Sequence, residues 1–408
     1  MRRTAKFNNE NKIYIPLVLA ALLFLLIGAD TVHAADISKD LAGVKEGWAW
    51  PVVVVPPPEG WNSPTGNSIK YAMRTAEREI SLKRGGIRGK EVTFMFSNLS
   101  SHLELGERLR TWRAMGVYAI VSFGGGEMDD VLKSLCSQNG PSVLFVGGEE
   151  LPIIDPNTGR PYPYLFTLDL PYFARANALA EIAATENPKR DVAVITDVMS
   201  VKLAKGAALN VDYLRLRGIN TMDLSVSAYR QDQFAPQVRN SEESGVGVFI
   251  SWLDSMATLS IWRTAYQRPN KSIIYHAGNQ HRILLDAEGL ILVDKDVLLE
   301  RNTDGRRHTS FIIRDTIHEA VDDPVIAAKA YALGKWAISA YMTVISEDVG
   351  AISETLAQTA GIPLMDEDLS INPLTHRPVS RKFGVLRIQG RQYVSNGLVE
   401  VFSSEASE

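Results

Sequence analysis

The sequence predicts an α/β protein made of two doubly wound, parallel-sheet lobes. Three observations carry this. Short apolar runs rich in β-branched residues alternate with helical segments from Trp48 to Tyr275, the mark of βαβ units. The runs are continuous rather than alternately polar and apolar, as strands buried on both faces are. One segment, Ile153–Pro171, breaks the rhythm with Pro156, Asn157, Gly159, Pro161 and Pro163, and is expected to link a first lobe to a second.

The elements follow in order. Trp50–Val55 is the first strand, and the Pro-rich loop Pro56–Asn67 follows it. Ile69, Ala72, Ala76 and Ile80 recur at helical spacing from about Ser68, and Gly85–Gly86 ends that helix. Strands are then expected at Val92–Phe96, Tyr118–Val121 and Ser142–Val146, with helices at Leu105–Met115 and Met128–Ser137. Beyond the break come helices Tyr172–Thr185, Leu203–Leu216, Phe234–Glu243 and Met256–Tyr266. They alternate with strands Val192–Ile195, Met222–Val226, Val246–Ile250 and Ser272–Tyr275. Asp323–Pro324 opens what should be the longest helix, about Val325–Val344, and two short strands, Phe383–Ile388 and Gln392–Val394, flank a turn at Gly390.

A chain of 408 residues has room for two or three domain-sized units. Its first 34 residues differ from the rest. Arg2, Arg3, Lys6 and Lys12 precede an apolar run, Ile13–Ile27, and Val32 and Ala34 are small residues at cleavage-site spacing. This predicts a secretory signal peptide, residues 1–34, and a periplasmic location, the run being shorter than the ~20 residues of a membrane span. Removing it takes away four Lys/Arg and two Asp/Glu, leaving 39 basic and 45 acidic residues and a net charge of −6. That balance argues against nucleic acid or an anionic membrane as partner. Cys136 is the only cysteine, so no internal disulfide forms, and its place in an apolar helical pattern predicts a buried thiol.

Ligands of open α/β sheets bind beyond the carboxyl ends of the strands. That rule selects the loops Pro56–Asn67, Ser122–Glu127, Gly147–Glu150, Asp197–Val201, Ser251–Ser255 and His276–Asn279. The candidate ligand-binding residues are Trp61, Ser122, Gly124, Gly125, Glu149, Asp197, Ser200, Trp252, Asp254 and His276. Gly124–Gly126 before a helix either aims amides at a carboxylate or lets a ligand approach closely. The acids either meet an amine or decorate helix starts. Trp61 and Trp252 either flank the ligand or pack in the core. For Asp254 the expected role is a charge-assisted bond to an amine, with capping of the next helix as the alternative. Walker, Gly-x-Gly-x-x-Gly, Gly-x-Ser-x-Gly and His-Glu-x-x-His motifs are all missing, so neither catalysis nor a metal or cofactor is expected.

Two segments resemble a known family. Gly66–Ile80 followed by Gly85-Gly-Ile-Arg-Gly-Lys90 and the strand to Phe96 is similar to the first helix and glycine turn of the type I periplasmic binding proteins. Ala330–Tyr331, Thr375-His-Arg-Pro378 and the hairpin at Gly390–Arg391 resemble that family's closing elements. The resemblance implies two lobes joined by a three-segment hinge, lobe one being 46–165 plus 277–380 and lobe two 166–276 plus 381–402. It also implies capture of a small amino-acid-like or amine-bearing ligand for an inner-membrane ABC permease by a monomeric protein. A ligand sensor or enzyme-accessory subunit on the same fold is the alternative. Ser122–Glu127, Gly147–Glu150 and Asp197–Ser200 depart from the loops of the leucine-binding branch.

Overall fold

The computed structural model describes residues 44, 47–84, 86–147, 153–170, 173–227, 233–266, 272–278, 281–294, 321–364 and 367–402. The predicted signal peptide and Glu149 lie outside the described residues.

The first sheet is all parallel, in the order β2-β1-β3-β4-β5. Its strands are β1 (Ala49–Val55), β2 (Glu91–Phe96), β3 (Ala119–Ser122), β4 (Ser142–Phe145) and β5 (Leu165–Thr167). Helices α1 (Pro64–Arg84), α2 (Leu105–Ala114) and α3 (Gly126–Cys136) connect them. The unbroken valine run of β1 reflects burial on both faces. Val52 and Val54 enter one core cluster and Val53 and Val55 another, since successive side chains point to opposite faces. Cys136 is buried in the second cluster, and burial pushes its thiol up to about 12.

The second sheet has the order β16-β15-β10-β9-β8-β6-β7. Its parallel part is β6 (Asp191–Asp197), β7 (Thr221–Val226), β8 (Val246–Trp252), β9 (Ile273–His276) and β10 (Ile291–Asp294). Helices α4 (Phe173–Glu186), α5 (Val201–Leu216), α6 (Phe234–Glu243) and α7 (Ser255–Tyr266) belong with it. The chain then returns to lobe one through α8 (Pro324–Thr343) and α9 (Val349–Ala357). Two small hairpins follow, β11 (Ile362–Leu364) with β12 (Glu367–Leu369) and β13 (Ile371–Asn372) with β14 (Arg377–Pro378). The chain ends in lobe two with β15 (Ser380–Gln389) and β16 (Gln392–Phe402), both antiparallel.

Several expectations are corrected. The Pro-rich Ile153–Pro171 segment is not all linker, because it holds β5, the edge strand of the first sheet. The lobe change falls between Leu168, packed in the first core, and Leu170, packed in the second. Residues 277–294 belong to lobe two rather than lobe one, since β10 pairs with β9. The final strands are long, 10 and 11 residues, and α1, with 21 residues, exceeds the 20 of α8. Asp323 caps α8 as its Pro-preceding position predicts, its Oδ1 accepting the Ile326 amide at 3.1 Å.

Two arginines brace the crossings. Arg377 Nη1 donates to the Asp169 carbonyl at 2.8 Å, and Arg381 Nη1 to that of Leu168 at 2.7 Å. His376 stacks on Phe166 at 4.4 Å and bonds the Leu165 carbonyl through Nδ1. The chain leaves the first sheet at the carboxyl end of β5 and the second at the carboxyl end of β10. Both sets of carboxyl-end loops therefore lie on the hinge side of their sheets.

Candidate functional site

Each lobe has one point where its strand order reverses, β1/β3 in the first and β6/β8 in the second. The connections leave such neighbouring strands to opposite faces, and a crevice opens between them. In lobe one this crevice is an open hollow of about 430 Å³. Pro58 after β1, Ser101 and His102 after β2, and Gly124–Glu127 after β3 line it.

The glycines there are required by backbone conformation. Gly125 and Gly126 have φ of 61° and 46°, and a Cβ at either would meet nothing. Beneath them, Asp129 occupies the first turn of α3. Its carboxylate accepts the Ser122 hydroxyl at 2.5 Å and the Gly125 amide. Ser122 is thus turned into the lobe, and the amides at this helix start already face a carboxylate of the protein. Above them, Glu127 pairs with His102 at 3.3 Å.

Burial raises the Asp129 carboxyl to about 6, against the lowering effect of its bonds to Ser122 and Gly125. A group raised in the folded state stabilises fully below its unfolded value, near 3.8, and loses that contribution as pH rises through 6. The shift corresponds to about 3 kcal/mol. Asp129→Asn keeps an acceptor for Ser122 and is expected to flatten this part of the stability profile. Denaturant unfolding at pH 4 and pH 7 checks it. A variant whose loss of stability over that interval matches the wild type would disprove the assignment.

In lobe two the polar candidates serve their own turns. Asp197 Oδ1 accepts the Met199 amide at 3.0 Å. Ser200 caps α5 through the Leu203 amide at 3.4 Å. Asp254 Oδ1 caps α7 through the Ala257 amide at 2.7 Å.

Three further candidates are directed into the protein, a correction to their expected place at the mouth. Trp252 is buried in the lobe-two core, where its Nε1 donates to Asn210 Oδ1 at 3.3 Å. It lies so close to α5 that a Cβ on Gly206 would sit 2.2 Å from its ring. His276 is buried, its Nδ1 bonded to Thr258 Oγ1 at 3.1 Å, and Thr258 in turn bonds Ser251 at 2.8 Å. Trp61 is half-buried against Phe96 and donates to the Ser97 carbonyl at 2.7 Å. What stands free beside the second switch point went unlisted at first: Val198, Met199, Val201 and Met256, all exposed. Large apolar side chains between two capping residues were the available signal. Among the described residues no three His, Cys, Asp or Glu side chains gather as a metal site.

Two linked lobes, each with a switch point at the carboxyl ends of its parallel strands, define the architectural class. Solved structures specify the fold. A putative branched-chain amino acid ABC transporter protein from Rhodospirillum rubrum is similar with a TM-score of 0.69 at 15% identity, over 85% of this chain and 99% of that one. An ABC transporter substrate-binding protein from Desulfitobacterium hafniense, in complex with Leu, gives 0.64 at 14% identity over 85% and 99%. A solute-binding protein from R. palustris, in complex with 4-hydroxybenzoate, gives 0.60 at 12% identity over 87% and 97%. The chain has the type I periplasmic binding fold. No family model matches the sequence, and no curated protein does.

Proposed function

We propose that the chain is a solute-binding protein that closes its lobes over a small molecule in the periplasm and delivers it, as a monomer and without catalysis, to an ABC permease. The observation that carries this reading is the pair of strand-order switch points, one in each lobe, on the hinge side of both sheets. Hinge closure around a ligand is the motion this arrangement favours. The similar structures from D. hafniense and R. palustris hold Leu and 4-hydroxybenzoate, both small molecules, which agrees with it.

Closure predicts compaction. X-ray scattering on the mature chain, saturated with the best binder from a thermal-shift screen, is expected to give a smaller radius of gyration than without it. An unchanged profile at saturation overturns the reading. Export predicts a cut after Ala34, so mass spectrometry of periplasmic protein should place the N-terminus at Ala35 or within a residue or two of it. An intact Met1 there would favour a membrane anchor instead.

A further inference from the structure

We propose that the ligand of this cleft is an uncharged small molecule with a flat apolar body, seated against Val198, Met199, Val201 and Met256. This rests on the solute-capture reading and names its ligand class. Among the described residues twelve large hydrophobic side chains stand exposed, and four lie in the loop after β6 or the first turns of α5 and α7, beside the β6/β8 switch point. Met199 and Val201 are 69% and 73% exposed. Single exposed apolar residues are ordinary, whereas a group of them at a crevice marks a binding surface. Two of the four are methionines, whose flexible thioethers adapt to varied shapes and favour ring edges.

The two carboxylates nearby are engaged with their own turns. Asp197 and Asp254 turn a carboxylate oxygen back to the amides of Met199 and Ala257, which leaves the methyl and thioether groups of the same loops facing outward. An anion fares no better across the cleft. The start of α3 already faces the Asp129 carboxylate from below and Glu127 from the rim. What lobe one offers instead is the Gly125–Gly126 backbone, open on its outer side, beside the Met128 and Pro58 side chains in a hollow of about 430 Å³. Open peptide planes flanked by Met128 and Pro58 in one lobe, with an apolar shelf in the other, suit a flat body of about ten heavy atoms, the hollow being near the lower end of small-molecule pockets.

The test holds the ring constant and varies the head group. Calorimetric titration of the mature chain with p-cresol, 4-hydroxybenzoate, tyramine and tyrosine compares a neutral, an anionic, a cationic and a zwitterionic member. The expected result is p-cresol binding at least tenfold tighter than the other three. Met199→Ser/Met256→Ser should weaken p-cresol at least tenfold with an unchanged melting temperature, both residues being exposed. A charged member that binds as tightly as p-cresol, or a double variant that binds p-cresol like the wild type, overturns the ligand class. Scattering separates that failure from failure of the parent reading. Compaction by a charged member that binds as tightly as p-cresol keeps solute capture and removes only the neutral ligand. Absence of binding and of compaction across all four removes the ligand class, while solute capture is then judged by the best binder of the wider screen.

Discussion

Lowering the pH from 6.5 to 4 is expected to destabilise the second lobe by about 3 kcal/mol through His276 alone. The imidazole is buried between β9 and α7, where its Nδ1 meets Thr258 Oγ1. Burial pulls it down to about 3, and the nearby positive charges of Arg175 and His281 add to the effect. The unfolded chain takes up a proton near the ordinary value of 6.5, whereas the folded chain resists until about pH 3. A group depressed in this way contributes stability above 6.5 and loses it as the pH falls toward the folded value. His276→Asn cannot charge and can still bond Thr258. It costs some packing at pH 7 but should show a shallower acid slope. Denaturant unfolding across pH 7 to 4 measures both chains. Their difference isolates His276 from His376, whose ionisation burial also lowers. Parallel slopes would mean that His276 is not held neutral.

Trp252→Ala is expected to cost about 3–5 kcal/mol, in the range for a large aromatic removed from a core. The indole fills the space between β8 and α5 that the missing side chain of Gly206 leaves open, and it satisfies Asn210. Asn210 also donates to the Ala176 carbonyl at 2.8 Å, so the tryptophan ties β8, α5 and α4 together. A cavity at this point loosens three elements, and the partner amide loses its donor. The same substitution in a wall of the open cleft would cost under about 1 kcal/mol and show mainly in ligand affinity. Chemical denaturation therefore distinguishes the two placements directly.

Trp252 and His276 also mark the limit of what the sequence reveals. Continuous apolar runs identified eight of the ten parallel strands, because burial on both faces leaves little choice of residue. β10 escaped because its four residues lie beyond the point where the alternation with helices lapses. β5 hid in a Pro-rich stretch, since an edge strand of three residues needs no long apolar run. For the site, the rule of carboxyl ends found the loops but not the facing of each side chain. Period-two parity puts Trp252 with Val248 and Ile250 on the side of the strand that packs in the core. The capping roles of Ser200 and Asp254 were legible from their positions before helices. The exposure of Met199 and Met256 was not, because apolar residues are buried by default and only the finished turns show otherwise.

The triple crossing of the hinge also orders events during synthesis. The first core needs Trp336 and Tyr341, whose hydroxyl donates to the Pro51 carbonyl at 3.2 Å across 290 positions of chain. At 5–20 residues per second the ribosome takes roughly 15–60 s to supply them after β1 has emerged. The second sheet waits for β15 and β16 near the end of the chain. The first core cannot close before Ile371 has been added, nor the second before Val401. A chain whose lobes close so late stays threadable for longer, and under the export proposed above the long-range contacts would form after passage through a narrow channel.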